Sequence, residues 1–220
     1  MLVLNRNILT IGGNRLEGGP LTPPGPPVDP YNPLGLPANT VRVRTSDGNA
    51  PIKVNGGGSS STTSYETATL VTGTSDTYDV YKSGNDFYNL LYMSSNVVEV
   101  LGANTSGITN MRAMFRECTR LNNVALFDSS SATNMNYMLH NCTPLISVPL
   151  FDTSNAKYVI RMVSKCVNVQ SGALALYQQL SSQANPPTQY SNAFADCGKN
   201  TITGSAELAQ IPSSWGGTRG

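Results

Sequence analysis

A phrase that returns at a fixed distance constrains this chain more than any other feature. TNMRAMFRECTRLNNVALFD runs from Thr109 to Asp128, and TNMNYMLHNCTPLISVPLFD from Thr133 to Asp152, an offset of 24 residues at every matched position. Met111 returns as Met135, Met114 as Met138, Cys118 as Cys142, Leu121 as Leu145 and Phe127 as Phe151. A degraded third copy keeps the register through Val159, Met162, Cys166 and Val169. Upstream, Phe87, Leu90, Leu91, Val97 and Val100 hold the matching places, with Ser94 where the cysteine stands. Downstream, Tyr190, Phe194 and Cys197 reproduce the spacing of Met111, Phe115 and Cys118. Self-similarity at this period marks stacked units, because one unit buries too little apolar surface to offset the ordering of its backbone.

The period predicts an α+β architecture: a short solenoid of about five 24-residue coils over residues 83–220, capped by a small β region at 38–82. An extended Pro-rich arm at 1–37 precedes both. In each coil, MxxMFxxC spaces apolar residues three and four apart and predicts one helical turn with one face inward. LxxVxLF alternates and predicts a short strand. Asp128-Ser129-Ser130 and Asp152-Thr153-Ser154 form polar corners suited to capping. The expected solenoid core is Met111, Met114, Phe115, Cys118, Leu121, Met135, Met138, Cys142, Leu145, Met162 and Cys166. An insertion at Ala173–Gln183 has helix-favouring composition and is stopped by Asn185-Pro186-Pro187. Ala206–Ile211 and Trp215 are expected to close the far end.

Ahead of the repeats the character changes. Eight of the 14 prolines lie between Pro20 and Pro37, a run that favours polyproline II. Residues 1–37 are read as an anchoring arm, its contacts carried by Leu2, Leu4, Ile8, Leu9, Ile11, Pro23, Pro24, Pro26, Pro27 and Tyr31. Thr40–Thr45 alternates as a strand, Ser46-Asp47-Gly48-Asn49 is a turn, and Ile52–Val54 is expected to return as its partner. Thr67–Thr72 and Tyr78–Tyr81 read as a hairpin, and this sheet is expected to cover the first coil.

The residue inventory speaks against chemistry. Lys+Arg number 14 against 13 Asp+Glu, a net charge of +1, so no basic stripe exists to neutralise a nucleic-acid backbone. Cys118, Cys142, Cys166 and Cys197 occupy one repeat position and predict a ladder of free, buried thiols; CxxC and Cys/His pairs for a metal are missing. His140 stands where Arg116 stands one repeat earlier, a surface position on this reading. HExxH, GxSxG and phosphate-loop motifs are absent, so no enzyme, no cofactor and no metal site is expected. The opening MLVLNRNILTIGG is broken by Asn5, Arg6 and Asn7 before a signal sequence forms, and no stretch suits membrane insertion.

The units NMRAMFRECTRLNNVALFD and NMNYMLHNCTPLISVPLFDTS resemble the BspA-type leucine-rich-like repeats of bacterial surface proteins, also seen as mycoplasma lipoprotein repeats. The resemblance covers residues 85–200 and implies surface display and adhesion. The whole arrangement also resembles virion proteins of gut Bacteroides phages, including crAss-like phages. That likeness implies a head fibre or capsid decoration protein at the virion surface, made in the host cytoplasm. Its arm would bind capsid or other virion subunits, its solenoid would face host or mucosal glycans, and it would be a homo-oligomer, a trimer on first expectation. The alternative is a bacterial cell-surface adhesin of the BspA-like family.

Overall fold

Thr40–Thr45 has the period of a half-buried strand, with Val41 and Val43 inward and Arg42 and Arg44 outward. The computed structural model describes residues 8–11, 14–17, 29–51 and 67–218, and it places that strand at the middle of a mixed sheet. Strands are numbered β1 (Ile8–Ile11), β2 (Asn14–Glu17), β3 (Thr40–Thr45), β4 (Thr67–Leu70), β5 (Thr77–Tyr81), β6 (Val97–Asn104) and β7 (Asn123–Val124). β1 and β2 form a separate antiparallel pair, and the five others lie in the order β4-β5-β3-β6-β7. Among these strands only β6 and β7 pair in parallel. Outward charges are matched across the ladder: Arg42 sits opposite Asp79 and grips its carboxylate with two bonds of 2.7 and 2.8 Å. Arg44 sits opposite Glu99 at 2.6 Å. Opposed charges of this kind pin strand register.

Two expectations about this region change. Ile52–Val54 lies outside the described residues, and the partners found for β3 are β5 and β6. The sheet also does more than cover the first repeat, because β6 carries that repeat's own Val97 and Val100.

The leucine-rich-like solenoid is overturned as a fold class. Regular structure among the described residues is the five-stranded mixed sheet and the β1–β2 pair, with two α-helices, α1 (Ala173–Ser182) and α2 (Ile202–Leu208), and a 3-10 turn at Ser213–Trp215. The MxxMFxxC segments form no helix. Each contains two left-handed residues four apart: Ala113 and Glu117 (φ 54° and 60°), Tyr137 and Asn141 (59° and 62°), Arg161 and Lys165 (51° and 60°). A left-handed residue every fourth position breaks the i→i−4 ladder of an α-helix. The LxxVxLF strand shrinks to the two residues of β7 and to single bridge pairs.

What the period does govern is a register of backbone bonds. Met111, Ala113, Phe115 and Glu117 donate to the carbonyls of Asn134, Asn136, Met138 and His140, at 2.8–2.9 Å. Alternate residues close tight turns inside the repeat, as in Met114 to Met111 and Cys118 to Phe115 at 3.2 Å. Parallel bridges link Asp86, Asn110, Asn134, Tyr158 and Gln189 in succession. The i, i+3, i+4 apolar spacing is thereby met by consecutive tight turns.

Side chains repeat the register inside. Thr105 donates to the Asp128 carbonyl, and Ser129 to that of Asp152 at 2.9 Å. Asp128 and Asp152 each accept the amide two residues on, at 2.9 Å, so both are turn-capping carboxylates. The four cysteines are free and buried. Cys118, Cys142 and Cys166 direct their thiols at the carbonyls of Leu91, Phe115 and Leu139, at 3.0–3.2 Å. Burial pushes the Cys118 and Cys166 thiols up to about 12. A thiol reagent at pH 8 is accordingly expected to leave all four cysteines untouched in the folded protein and to modify all four after denaturation without reductant. Prompt reaction of any one in the native state would break the ladder.

At the C-terminal end, α1 packs Ala173, Leu176 and Leu180 inward. The Glu207 carboxylate from α2 accepts the Gly172 and Leu174 amides at the start of α1, at 3.3 and 3.0 Å. Trp215 covers this end with Tyr190 stacked on it at 4.2 Å.

Candidate functional site

The turn geometry decides which side chains face out. Arg112, Arg116 and Glu117 stay outside the core while Met111, Met114, Phe115 and Cys118 enter it; one and two repeats on, the positions of Arg116 carry the buried His140 and Ser164. Successive repeats then lay like positions side by side. Arg112 stands over the Tyr88 ring, 5.4 Å from its centroid, and Tyr88 lies 24 positions earlier. Arg116 stands between two rings, 5.2 Å from Tyr92 and 5.3 Å from Tyr137. Its guanidinium also meets Glu117 at 2.9 Å. Such cation–π contacts hold long side chains in one orientation and contribute about 0.5–1 kcal/mol each at exposed sites.

The row continues into a recess of about 250 Å³ lined by His140, Arg161, Ser164, Lys165, Asn192 and Asp196, with Ala195 beside them. His140 is buried, 6 % exposed, and not a surface residue as its repeat position suggested. Its Nδ1 lies 2.7 Å from Ser164 Oγ, and that hydroxyl donates to the Arg161 carbonyl at 3.2 Å. Ser164 therefore accepts from His140, which fixes the Nδ1–H form of a neutral ring. Burial, then the charges of Arg116, Lys165 and Arg161, push its pKa down to about 4. The edge of His140 meets Tyr137 in a T-shaped pair at 5.6 Å. Asp196 is engaged by Lys199 at 3.0 Å, while Arg161 and Lys165 have no carboxylate partner among the described residues.

A second recess, of about 440 Å³, lies on another side between Tyr31, Leu150, Phe151, Asp152, Ser154 and Gln179. Just along the chain from Tyr31, Leu34 occupies the place a Cβ on Gly102 would need, 3.0 Å from it. The repeat positions equivalent to Gly102 carry the exposed Leu126 and Leu150. Leu36 is held by the Asn32 and Asn104 side chains at 2.8–3.0 Å. Residues 31–36 thus rest on the chain's own sheet and first repeats.

The residues singled out from sequence fall into three groups. Met111, Met114, Phe115, Cys118, Leu121, Met135, Met138, Cys142, Leu145, Met162 and Cys166 all lie in one continuous buried core. Of the arm residues, Tyr31 lines the second recess, and Ile8, Leu9 and Ile11 lie in β1. Leu2, Leu4, Pro23, Pro24, Pro26 and Pro27 lie outside the described residues. The outward row of Tyr88, Tyr92, Arg112, Arg116 and Tyr137 was not foreseen. Its signal was present as tyrosine followed by arginine at an offset of 24, twice.

Among the described residues no group of three His, Cys, Asp or Glu side chains is placed to hold a metal ion. No helix there is long and apolar enough to cross a membrane. The family model described as "Mycoplasma protein of unknown function, DUF285" matches residues 81–201. Neither a curated protein nor a solved structure matches the chain.

Proposed function

This chain belongs to the DUF285 family of BspA-like mycoplasma repeat proteins, and on that premise we propose that it works as a surface-displayed recognition module of the adhesin type. The observation that carries the reading is the outward row of Tyr88, Tyr92, Arg112, Arg116 and Tyr137, held in place by ring–guanidinium contacts. Tyrosine and arginine dominate the energetics of protein recognition surfaces, and a row already immobilised loses little entropy on binding. The core beneath supplies rigidity, and the reading assigns the chain no catalytic group and no cofactor.

The test is retention of the full chain on mucin-coated and host-cell surfaces. We expect retention by the wild type and at least a tenfold loss on combining Tyr88→Ala, Tyr92→Ala and Arg112→Ala, with thermal stability changed by only a few degrees. Undiminished retention of that triple variant would remove this face from the reading, and no retention of the wild type would remove adhesion itself.

A second reading keeps the recognition face and changes its carrier to a phage particle, where the chain would serve as a head fibre or capsid decoration protein. It would be trimeric and bound to other virion subunits through residues 1–37. What favours it is the Pro-rich run between Pro20 and Pro37, which ends at a fixed point where Asn104 binds the Leu36 carbonyl at 2.8 Å. Quantitative mass spectrometry of purified particles and of the host envelope separates the two carriers. A constant ratio to a major capsid protein supports the particle, and enrichment in the envelope supports the cell surface.

A further inference from the structure

Two cations without carboxylate partners among the described residues line one recess. Arg161 and Lys165 line it together with the neutral His140, the Ser164 hydroxyl and the Asn192 amide. The one carboxylate in the lining, Asp196, is held by Lys199 at 3.0 Å. Both side chains are exposed, and two cations at one recess beside neutral hydrogen-bonding groups offer an anion a charged, polar seat.

The geometry points to this recess as the seat of the acid group, a carboxylate or a sulfate ester, of an acidic saccharide; the assignment rests on the recognition-module reading above. Three observations narrow the ligand. Asp196, though held by Lys199, keeps a carboxylate beside Arg161 and Lys165, which suits a monoanion better than a phosphate dianion or a polyanion. A volume of about 250 Å³ lies below the ~300–1,000 Å³ typical of drug-sized ligands, so it suits a single ring with its substituent. Around the cations stand groups that suit sugar hydroxyls: the Asn192 amide, the Ser164 hydroxyl and the Asp196 carboxylate.

Each part has a separate duty. Arg161 supplies a planar fork that matches two oxygens of a carboxylate or sulfate, and Lys165 supplies a point charge. His140 stays neutral at physiological pH and holds Ser164, so the hydroxyl keeps its orientation. Both cations sit on left-handed residues four apart, φ 51° and 60°, and the turn register fixes their separation.

The experiment is a titration of the full chain, followed by ligand-observed NMR, with 3′-sialyllactose, 3′-sulfolactose and lactose. The expected result is saturable binding of at least one acidic sugar at about 0.1–1 mM, with lactose at least tenfold weaker. Arg161→Ala and Lys165→Ala should each weaken the acidic sugar about tenfold, and added salt should do so as well. The two acidic probes tell carboxylate from sulfate. Equal binding of lactose, or indifference to both substitutions, would overturn the assignment. So would tighter binding of a single-stranded oligonucleotide or of anionic vesicles through the same two residues. If the wild type is retained on mucin while no acidic sugar binds, the recess fails and the recognition module stands. If retention itself is absent, the module fails whatever the sugars do.

Discussion

Phe127→Ala is expected to lower the free energy of unfolding by about 3–5 kcal/mol, a large part of the ~5–15 kcal/mol that holds an ordinary domain. The ring is fully buried, with Phe151 at 5.0 Å and Phe115 at 6.3 Å between centroids. It is shared by two neighbouring repeats, so its loss opens a void that both must close. Closure is hindered because the backbone on each side is pinned: Asn122 donates to Val98, Ala125 to Val100 and Ile146 to Asn122, at 2.9–3.2 Å. A cavity that cannot collapse carries the full cost of its lost contacts. Urea unfolding at constant pH measures the effect as a shift in midpoint at unchanged slope. Leu126 provides the internal control. It is the preceding residue, 40 % exposed, and Leu126→Ala should stay within about 0.5 kcal/mol. Equal losses at the two positions would mean that the inward and outward assignments are wrong.

That contrast also shows what the sequence made legible. Matching by an offset of 24 placed Met111, Phe115, Cys118 and Leu121 on one interior without any knowledge of the backbone, because burial follows the period whatever local conformation delivers it. The local conformation itself was misread. Apolar residues three and four apart satisfy a helical turn and a pair of tight turns equally well, and the deciding signal is the left-handed residue. Glycine would have announced it, but Ala113, Glu117, Tyr137, Arg161 and Lys165 occupy those positions, held there by inter-repeat hydrogen bonds. Stacking outweighs a cost of about 1–2 kcal/mol per left-handed residue. β6 escaped for a related reason: its Val97 and Val100 fit the repeat, and the sequence hint of its pairing with β3 is one pair of opposite charges, Arg44 with Glu99. The candidate site was harder still. Side chains that leave the core need no periodic hydrophobicity, so Tyr88, Arg112 and Arg116 carried no pattern except their mutual offset. His140 looked exposed because it replaces an arginine. Burial became evident only when Ser164, one repeat on, supplied its partner at 2.7 Å.

Trp215→Ala is the second large effect, again about 3–5 kcal/mol, and it should be distributed unevenly along the chain. The indole is 7 % exposed, stacked on Tyr190 at 4.2 Å and met edge-on by Tyr177 at 5.4 Å. Its backbone has an equally specific place. The Phe194 amide donates to the Trp215 carbonyl at 2.9 Å, as Phe115 donates to Met138, Leu139 to Met162 and Val163 to Ala193. Trp215 therefore takes the acceptor place that Met138, Met162 and Ala193 hold in the preceding repeats. Gly216 makes the approach possible: it is left-handed at φ 92°, and a Cβ there would lie 2.6 Å from the Ala195 nitrogen. Alanine at 215 keeps the carbonyl and removes the ring, so it isolates packing from hydrogen bonding. Because each repeat donates only to its neighbour, the loosened end should pass instability inward by steps. Hydrogen exchange should quicken most at Phe194, next at Val163 and Lys165, which donate to Ala193 and Ala195, and least at Met111 and Phe115. A uniform rise over all of them would instead show that residues 81–218 open as one unit, with the cap stabilising the whole and not its end.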